Sequence, residues 1–386
     1  MGEEDPRRTG PLPFPTDAQL AHGGGTFAQT RVITSVQECS EPLGAATCTD
    51  DMIVRTVALA AALLLASCAS AGTPPLPTST ATARTSASAR TTAGAIPSKR
   101  AGAALVYVPA AGGVVLVGGD QDDETGKPAK LHAWDGKQWR VIDAGRPEAR
   151  SLAGVAFDAD RSALVVYGGS TGVGRDPHDT WEWAAGAWTQ RAQTGPAATS
   201  HMGTVYEAAR HRVLLFGGND DRPVLFGETW SWDGATWTKL IADGPGPLVH
   251  HAMTYDPARD RVVLFGGSQG GGTTDATWEW DGLRWTRMPP SSTGPSARTG
   301  ARMAYDASRK AAILYGGDGR DDTWSWDGRA WSRVDGRGPG LRAHHAMAYD
   351  PVRSRIVVFG GYDGRNNLND TWEFDGASWS QVEAGN

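Results

Sequence analysis

Four arginines, Arg100, Arg150, Arg298 and Arg342, recur at matching places along the chain. His201, His250, His251, His344 and His345 stand at or beside the same places. Guanidinium and imidazole groups gathered at one spot can bind an acidic or sugar ligand, and paired imidazoles can ligate a metal. A second polar set follows a recurring Gly-Gly: Asp120, Ser170, Asn219, Ser268 and Asp318, with Tyr362 and then Asp363 at the sixth occurrence. Asp120, Asp122, Asp123 and Glu124 together could draw a cation. They follow no ligand register, so we expect a solvated acidic loop, no bound metal and no cofactor. No Ser/His/Asp set and no pair of carboxylates stands at a spacing that suggests catalysis. The chemistry is that of binding. One alternative stays open, because side chains that recur in several units can also serve to tie neighbouring segments together by hydrogen bonds.

The elements that must position these residues repeat. An apolar run ending in Gly-Gly occurs at Val114–Gly119, Leu164–Gly169, Val213–Gly218, Val262–Gly267, Ala312–Gly317 and Ile356–Gly361. The first glycines are 50, 49, 49, 50 and 44 residues apart. Each unit carries four strand signals. A short run such as HHAMTYD (His250–Asp256) precedes a charged turn. The apolar run follows, and its lack of alternation marks a middle strand buried on both faces. A third strand reads TWEW or TWSW, with aromatics two apart on one face, at Thr180, Thr229, Thr277 and Thr323, and as TWEF from Thr371. Asp-Gly then marks a tight hairpin, and a Trp opens the fourth strand.

Four-stranded antiparallel sheets repeated six times bury their faces only by packing radially around an axis. The sequence therefore predicts an all-β, six-bladed β-propeller. The paired glycines are expected to leave room for an indole and to take backbone angles closed to other residues. Closure is expected from packing of the first blade on the last, with a strand swapped in from residues 90–99 as the other route. The loops between second and third strands open on the same rim as the start of each first strand. That rim is where a ligand is expected.

From about Arg100 to Val382 these residues resemble the Kelch repeat family, above all bacterial members with a DTWEW-D-G-x-x-W second half. The first unit departs most, with Lys130-Leu131-His132-Ala133-Trp134 in that place. The resemblance implies the galactose oxidase-like, Kelch-type propeller. Galactose oxidase itself relies on a Tyr–Cys crosslink at copper, and this region has no Cys. Bacterial sialic acid mutarotases are also Kelch propellers and need only a few polar groups in the channel. Ser231–Trp237 resembles the Asp-box of sialidases but is one residue short, and is read as a hairpin.

The first third of the chain differs in kind, since all 16 Trp fall between Trp134 and Trp379. Met52 to Cys68 reads as a secretory signal, with Arg55 before the apolar run Val57 to Ala66. That run is shorter than the roughly 20 residues a spanning helix needs. Leu65-Ala66-Ser67-Cys68 resembles the lipobox of bacterial lipoproteins, which implies diacylation at Cys68 and anchoring to a cell membrane or outer membrane on its extracytoplasmic side. Residues 1–51 then precede the expected start at Met52, as a misassigned or disordered stretch, and 52–67 are the signal peptide. Residues 68–97, rich in Ala, Ser, Thr and Pro, form an expected disordered tether, and 98–386 form the propeller. A net charge of −6 with interspersed signs gives no footprint for nucleic acid. The expected function is a lipid-anchored binding module for a protein or glycan. A carbohydrate-active enzyme, such as a mutarotase or epimerase, and a structural envelope protein are the alternatives.

Overall fold

The computed structural model describes Gly94 and residues 96–385, apart from 121–128, 144, 173–175, 221, 223 and 241–242. Six antiparallel sheets of four strands each follow one another along the chain, at 104–143, 154–192, 203–240, 252–287, 302–334 and 346–383. We call them blades 1 to 6. In every blade the strands pair in chain order, so each is a simple meander whose first strand is the innermost. The inner strands are Ala104–Val108, Gly154–Asp158, Gly203–Glu207, Ala252–Asp256, Arg302–Asp306 and Ala346–Asp350.

The second strands are buried at all or nearly all positions, as their unbroken apolar runs require. The apolar cores lie at the seams between blades. One joins blades 1 and 2 through Val108, Val115, Leu131, Val155 and Leu164, and another joins blades 3 and 4 through Leu214, Phe216, Leu248 and Leu264. The Asp-Gly hairpins form as read: Asp233 Oδ1 accepts the N–H groups of Ala235 (2.8 Å) and Thr236 (2.7 Å), and Gly234 takes φ +99°.

Indole hydrogen bonds stitch five of the six seams. Each fourth-strand Trp donates from Nε1 to the third-strand Thr of the preceding blade: Trp139 to Thr371, Trp237 to Thr180, Trp285 to Thr229, Trp331 to Thr277 and Trp379 to Thr323, all at 2.8–3.0 Å. Third-strand tryptophans add a second stitch to glutamates, Trp232 to Glu182, Trp280 to Glu207 and Trp326 to Glu279, all buried, and Trp134 to the half-buried Glu373. The exception is the seam between blades 1 and 2. Blade 1 presents Leu131 and Ala133 there, and the indole N–H groups of Trp183 and Trp188 find no acceptor. At the seam between blades 5 and 6, Ser325 replaces the glutamate and Phe374 replaces its tryptophan partner, so no donor is stranded.

The paired glycines act differently from the expected indole slot. A Cβ on the first glycine would collide with a carbonyl oxygen of the approaching next blade: Arg150 O at 2.2 Å for Gly118, Thr199 O at 2.4 Å for Gly168 and Leu248 O at 2.4 Å for Gly217. Both glycines take positive φ, as expected. The second one donates its N–H across the seam: Gly119 to Arg150, Gly169 to Thr199, Gly218 to Leu248, Gly267 to Arg298, Gly317 to Arg342 and Gly361 to Arg100, all within 2.6–2.9 Å. The last bond closes the ring. Leu105, Leu116 and Trp139 of blade 1 pack there on Ala348, Val357 and Phe359 of blade 6. All four strands of blade 6 come from its own segment and described residues 96–99 form no strand, so among the described residues blades 1 and 6 close the ring by packing and by these hydrogen bonds; the rest of 90–99, apart from Gly94, lies outside the described residues.

Candidate functional site: the axial cavity

Just ahead of each inner strand, one residue sits against the axis with a left-handed backbone. These are Gly102, Leu152, His201, His250, Gly300 and His344, with φ between +54° and +67°. Their backbone groups form a closed ring. Leu152 N–H donates to Gly102 O, His201 to Leu152, His250 to His201, Gly300 to His250, His344 to Gly300, and Gly102 back to His344, at 2.7–3.4 Å. The channel is thus encircled by peptide groups at the rim expected to hold a ligand. Leucine and histidine in left-handed geometry cost on the order of 1–3 kcal/mol each, strain that a ring of hydrogen bonds can hold in place.

The ring sorts the expected site residues. His201, His250 and His344 belong to it, and their imidazoles stack edge-on around the axis, with centroids 4.2 Å apart for His201 and His250 and 4.8 Å for His250 and His344. His251 and His345 turn the other way, into seams. His251 fills the space that Gly203 vacates and packs on Phe216, and His345 packs on Tyr315. Neither ring nitrogen of His251 or His345 has a hydrogen-bond partner. Burial, then the nearby Arg302 charge and His250, pull His251 down from 6.5 to about 3. Burial, with Arg342 and Arg302, holds His345 well below its usual value, and burial with His250 and Arg302 does the same to His344. All three are neutral at pH 7.

The four recurrent arginines are committed to the scaffold. Each donates from Nη1 to the first glycine carbonyl of its own blade: Arg100 to Gly118, Arg150 to Gly168, Arg298 to Gly316 and Arg342 to Gly360, at 2.8–3.0 Å. Arg150 also pairs with Asp179, Arg298 with Asp322 and Arg342 with Asp370. The residues after Gly-Gly lie on the rim, where Asp120, Asn219 and Tyr362 bridge back to Ala101, Ser200 and Ala343. Asp318 accepts from the backbone and hydroxyl of Thr299. Asp122, Asp123, Glu124 and Cys68 lie outside the described residues.

Behind the ring lies a cavity of about 120 Å³ whose lining includes His201, His250, His251, Thr204, Met253 and Arg302. No Asp or Glu lines it. Arg302 opens the inner strand of blade 5, at a place where the other blades carry Ala104, Gly154, Gly203, Ala252 and Ala346. Arg302 is half-buried and is part of the cavity lining. Its hydrogen bond is to the neighbouring carbonyl of Ala301 at 3.2 Å, and among the described residues no carboxylate pairs with it. Burial alone lowers it to about 10, so it remains a cation at pH 7. Sequence reading missed Arg302. The available signal was its departure from a Gly/Ala position of the repeat.

Such a cavity can hold an anion: one guanidinium supplies charge and five donors, and imidazoles and a threonine hydroxyl add polar contacts. Among the described residues no three His, Cys, Asp or Glu side chains converge as a metal site. No family model matches the sequence, and no curated protein matches it. Solved structures do match in fold. One described as "Structure of YjhT" aligns with a TM-score of 0.58 at 14% identity, covering 74% of this chain and 98% of that one. That likeness establishes the fold of this chain as a six-bladed β-propeller.

Proposed function

We propose that this chain is an extracytoplasmic binding module, tethered to the membrane through lipid on Cys68, and that its propeller takes the acidic group of a small ligand into the axial cavity. One observation carries the reading: Arg302 stands at the axis as a cation without a carboxylate partner, where the repeat otherwise has glycine or alanine. A guanidinium partly withdrawn from water without a counter-charge costs folding energy, and an arriving anion offsets that cost. An apolar cavity of about 150 Å³ holds benzene. A space of about 120 Å³ therefore suits a carboxylate or similar oxyanion head, with the rest of a glycan or organic acid lying at the rim. Titration calorimetry with glycolate and sulfate tests this. Binding that disappears in Arg302→Met supports it, and equal binding by wild type and variant overturns it.

The same cavity supports a second reading. His201 and His250 face it, and an imidazole beside a bound sugar acid is a candidate proton acceptor for ring opening. Accelerated exchange between anomers, followed by NMR, would establish a mutarotase-type activity, and an unchanged exchange rate would leave binding as the function.

A further inference from the structure

Resting on that anion-binding reading, we infer that the axial cavity loads its anion together with protons: imidazoles around Arg302 become charged as the ligand enters, and the ligand is held more tightly as pH falls.

The argument starts from the cavity's charge. From blade 3 it is faced by His201, from blade 4 by His250 and His251, and from blade 5 by Arg302. From blade 6, His344 stacks on His250, and His345 lies within reach of the Arg302 charge. Arg342 also acts on His345, but its own guanidinium is paired with Asp370. Three imidazoles, of His201, His250 and His251, therefore line the cavity with Arg302 and no carboxylate, while His344 stacks on His250 and His345 sits in its seam against Tyr315. His251, His344 and His345 stay neutral in that setting because they are desolvated and because Arg302 repels a second positive charge.

An anion seated on Arg302 reverses the second cause and weakens the first. It cancels the guanidinium's charge, which acts on His251, His344 and His345, and it offers an acceptor to an imidazole that lines the cavity, such as that of His251. The free nitrogens of His251 and His345 are buried groups with their bonding capacity unused, and the Nδ1 of His344 is likewise unpartnered. Groups of this kind call for an explanation, since buried polar atoms are nearly always satisfied, and a bound anion supplies one. The protons come from solvent, and no bond is made or broken beyond N–H on imidazole. By linkage, whatever raises proton affinity when the anion binds must raise anion affinity when protons bind. One proton taken up per anion tightens apparent binding by up to tenfold for each pH unit lowered.

The test uses sulfate as the probe, because it does not titrate in this range. Calorimetric titrations of the full chain run at pH 5.5, 6.5 and 7.5, each in two buffers of different ionisation enthalpy. The expected result is a Kd that falls with pH and a heat that depends on the buffer, reporting about one proton or more taken up per sulfate at pH 5.5. His251→Gln and His345→Gln should keep sulfate binding and lose part of that uptake. Should either variant fold poorly, histidine Hε1 shifts of the wild-type chain, titrated with and without sulfate, report the same event. Sulfate that binds with no proton uptake at any pH, and with unmoved histidine titrations, overturns this inference and leaves the anion site standing. No binding of sulfate or glycolate at any pH overturns the anion site itself, and this inference with it.

Discussion

Thr371→Val probes how the ring is closed. Thr371 is fully buried, and its hydroxyl accepts the Nε1–H of Trp139 at 2.9 Å across the seam between blades 6 and 1. Valine keeps the shape and removes the acceptor. The indole cannot turn to find another, because it is itself 1% exposed and wedged against Trp134 and Phe359, with centroids 5.5 and 5.1 Å away. A buried donor left without a partner costs about 1–3 kcal/mol, and the added methyl returns at most about 0.8 kcal/mol. The expected net loss is about 0.2–2 kcal/mol, up to a few degrees in melting temperature for a domain of this size. The seam between blades 1 and 2 supplies the control, since Trp188 has no acceptor there. Trp188→Phe removes a stranded donor and should cost less than Trp139→Phe, which discards a satisfied one. Differential scanning calorimetry on these variants decides the matter. A Thr371→Val chain as stable as wild type, or equal losses from the two Trp→Phe changes, would refute the view that indole stitches hold the seams.

Other consequences are as direct. Gly361→Ala would force a side chain to φ +100° and place its Cβ 2.8 Å from that of His345, so a loss of about 2 kcal/mol or more is expected by denaturant unfolding. Acid stability should fall early: His132 and His251 are held near 3, both chiefly by burial, against 6.5 in the open chain. The unfolded state thus binds more protons between those values, and stability present above pH 6.5 is lost as pH falls, by about 2 kcal/mol per histidine at pH 5. Urea melts at pH 7.5 and 5 check the sign, and stability that rises on acidification would contradict it. Arg302→Met should stabilise the ligand-free chain, by about 0.5–2 kcal/mol, while abolishing anion binding. A destabilised variant would mark Arg302 as part of the scaffold.

The blades were legible because their signals are local. Asp-Gly turns, Trp two apart and unbroken apolar runs each follow from one strand's own neighbours. The role of Gly-Gly was only half legible. Its positive φ is a property of the residue, but the carbonyl that crowds Gly118 belongs to Arg150, 32 residues on, and nothing local points to it. Arg298 and Arg342 drew notice because they recur, yet recurrence is what a scaffold produces, and the structure ties them to their own blades. Arg302 shows the opposite logic, since a single charge stands at a position the repeat keeps small. Within His250-His251 and His344-His345, one residue joins the axial ring and the other enters a seam. That division follows from left-handed backbone at the first of each pair, which composition does not reveal.

Selenate, a sulfate analogue visible by anomalous X-ray scattering, tests the axial site most directly. Crystals of the chain soaked in selenate should show an anomalous peak in the cavity within hydrogen-bonding distance of the Arg302 guanidinium, and the peak should vanish in Arg302→Met. Selenate found only on the outer surface, with the cavity empty beside an unaltered Arg302, would contradict it.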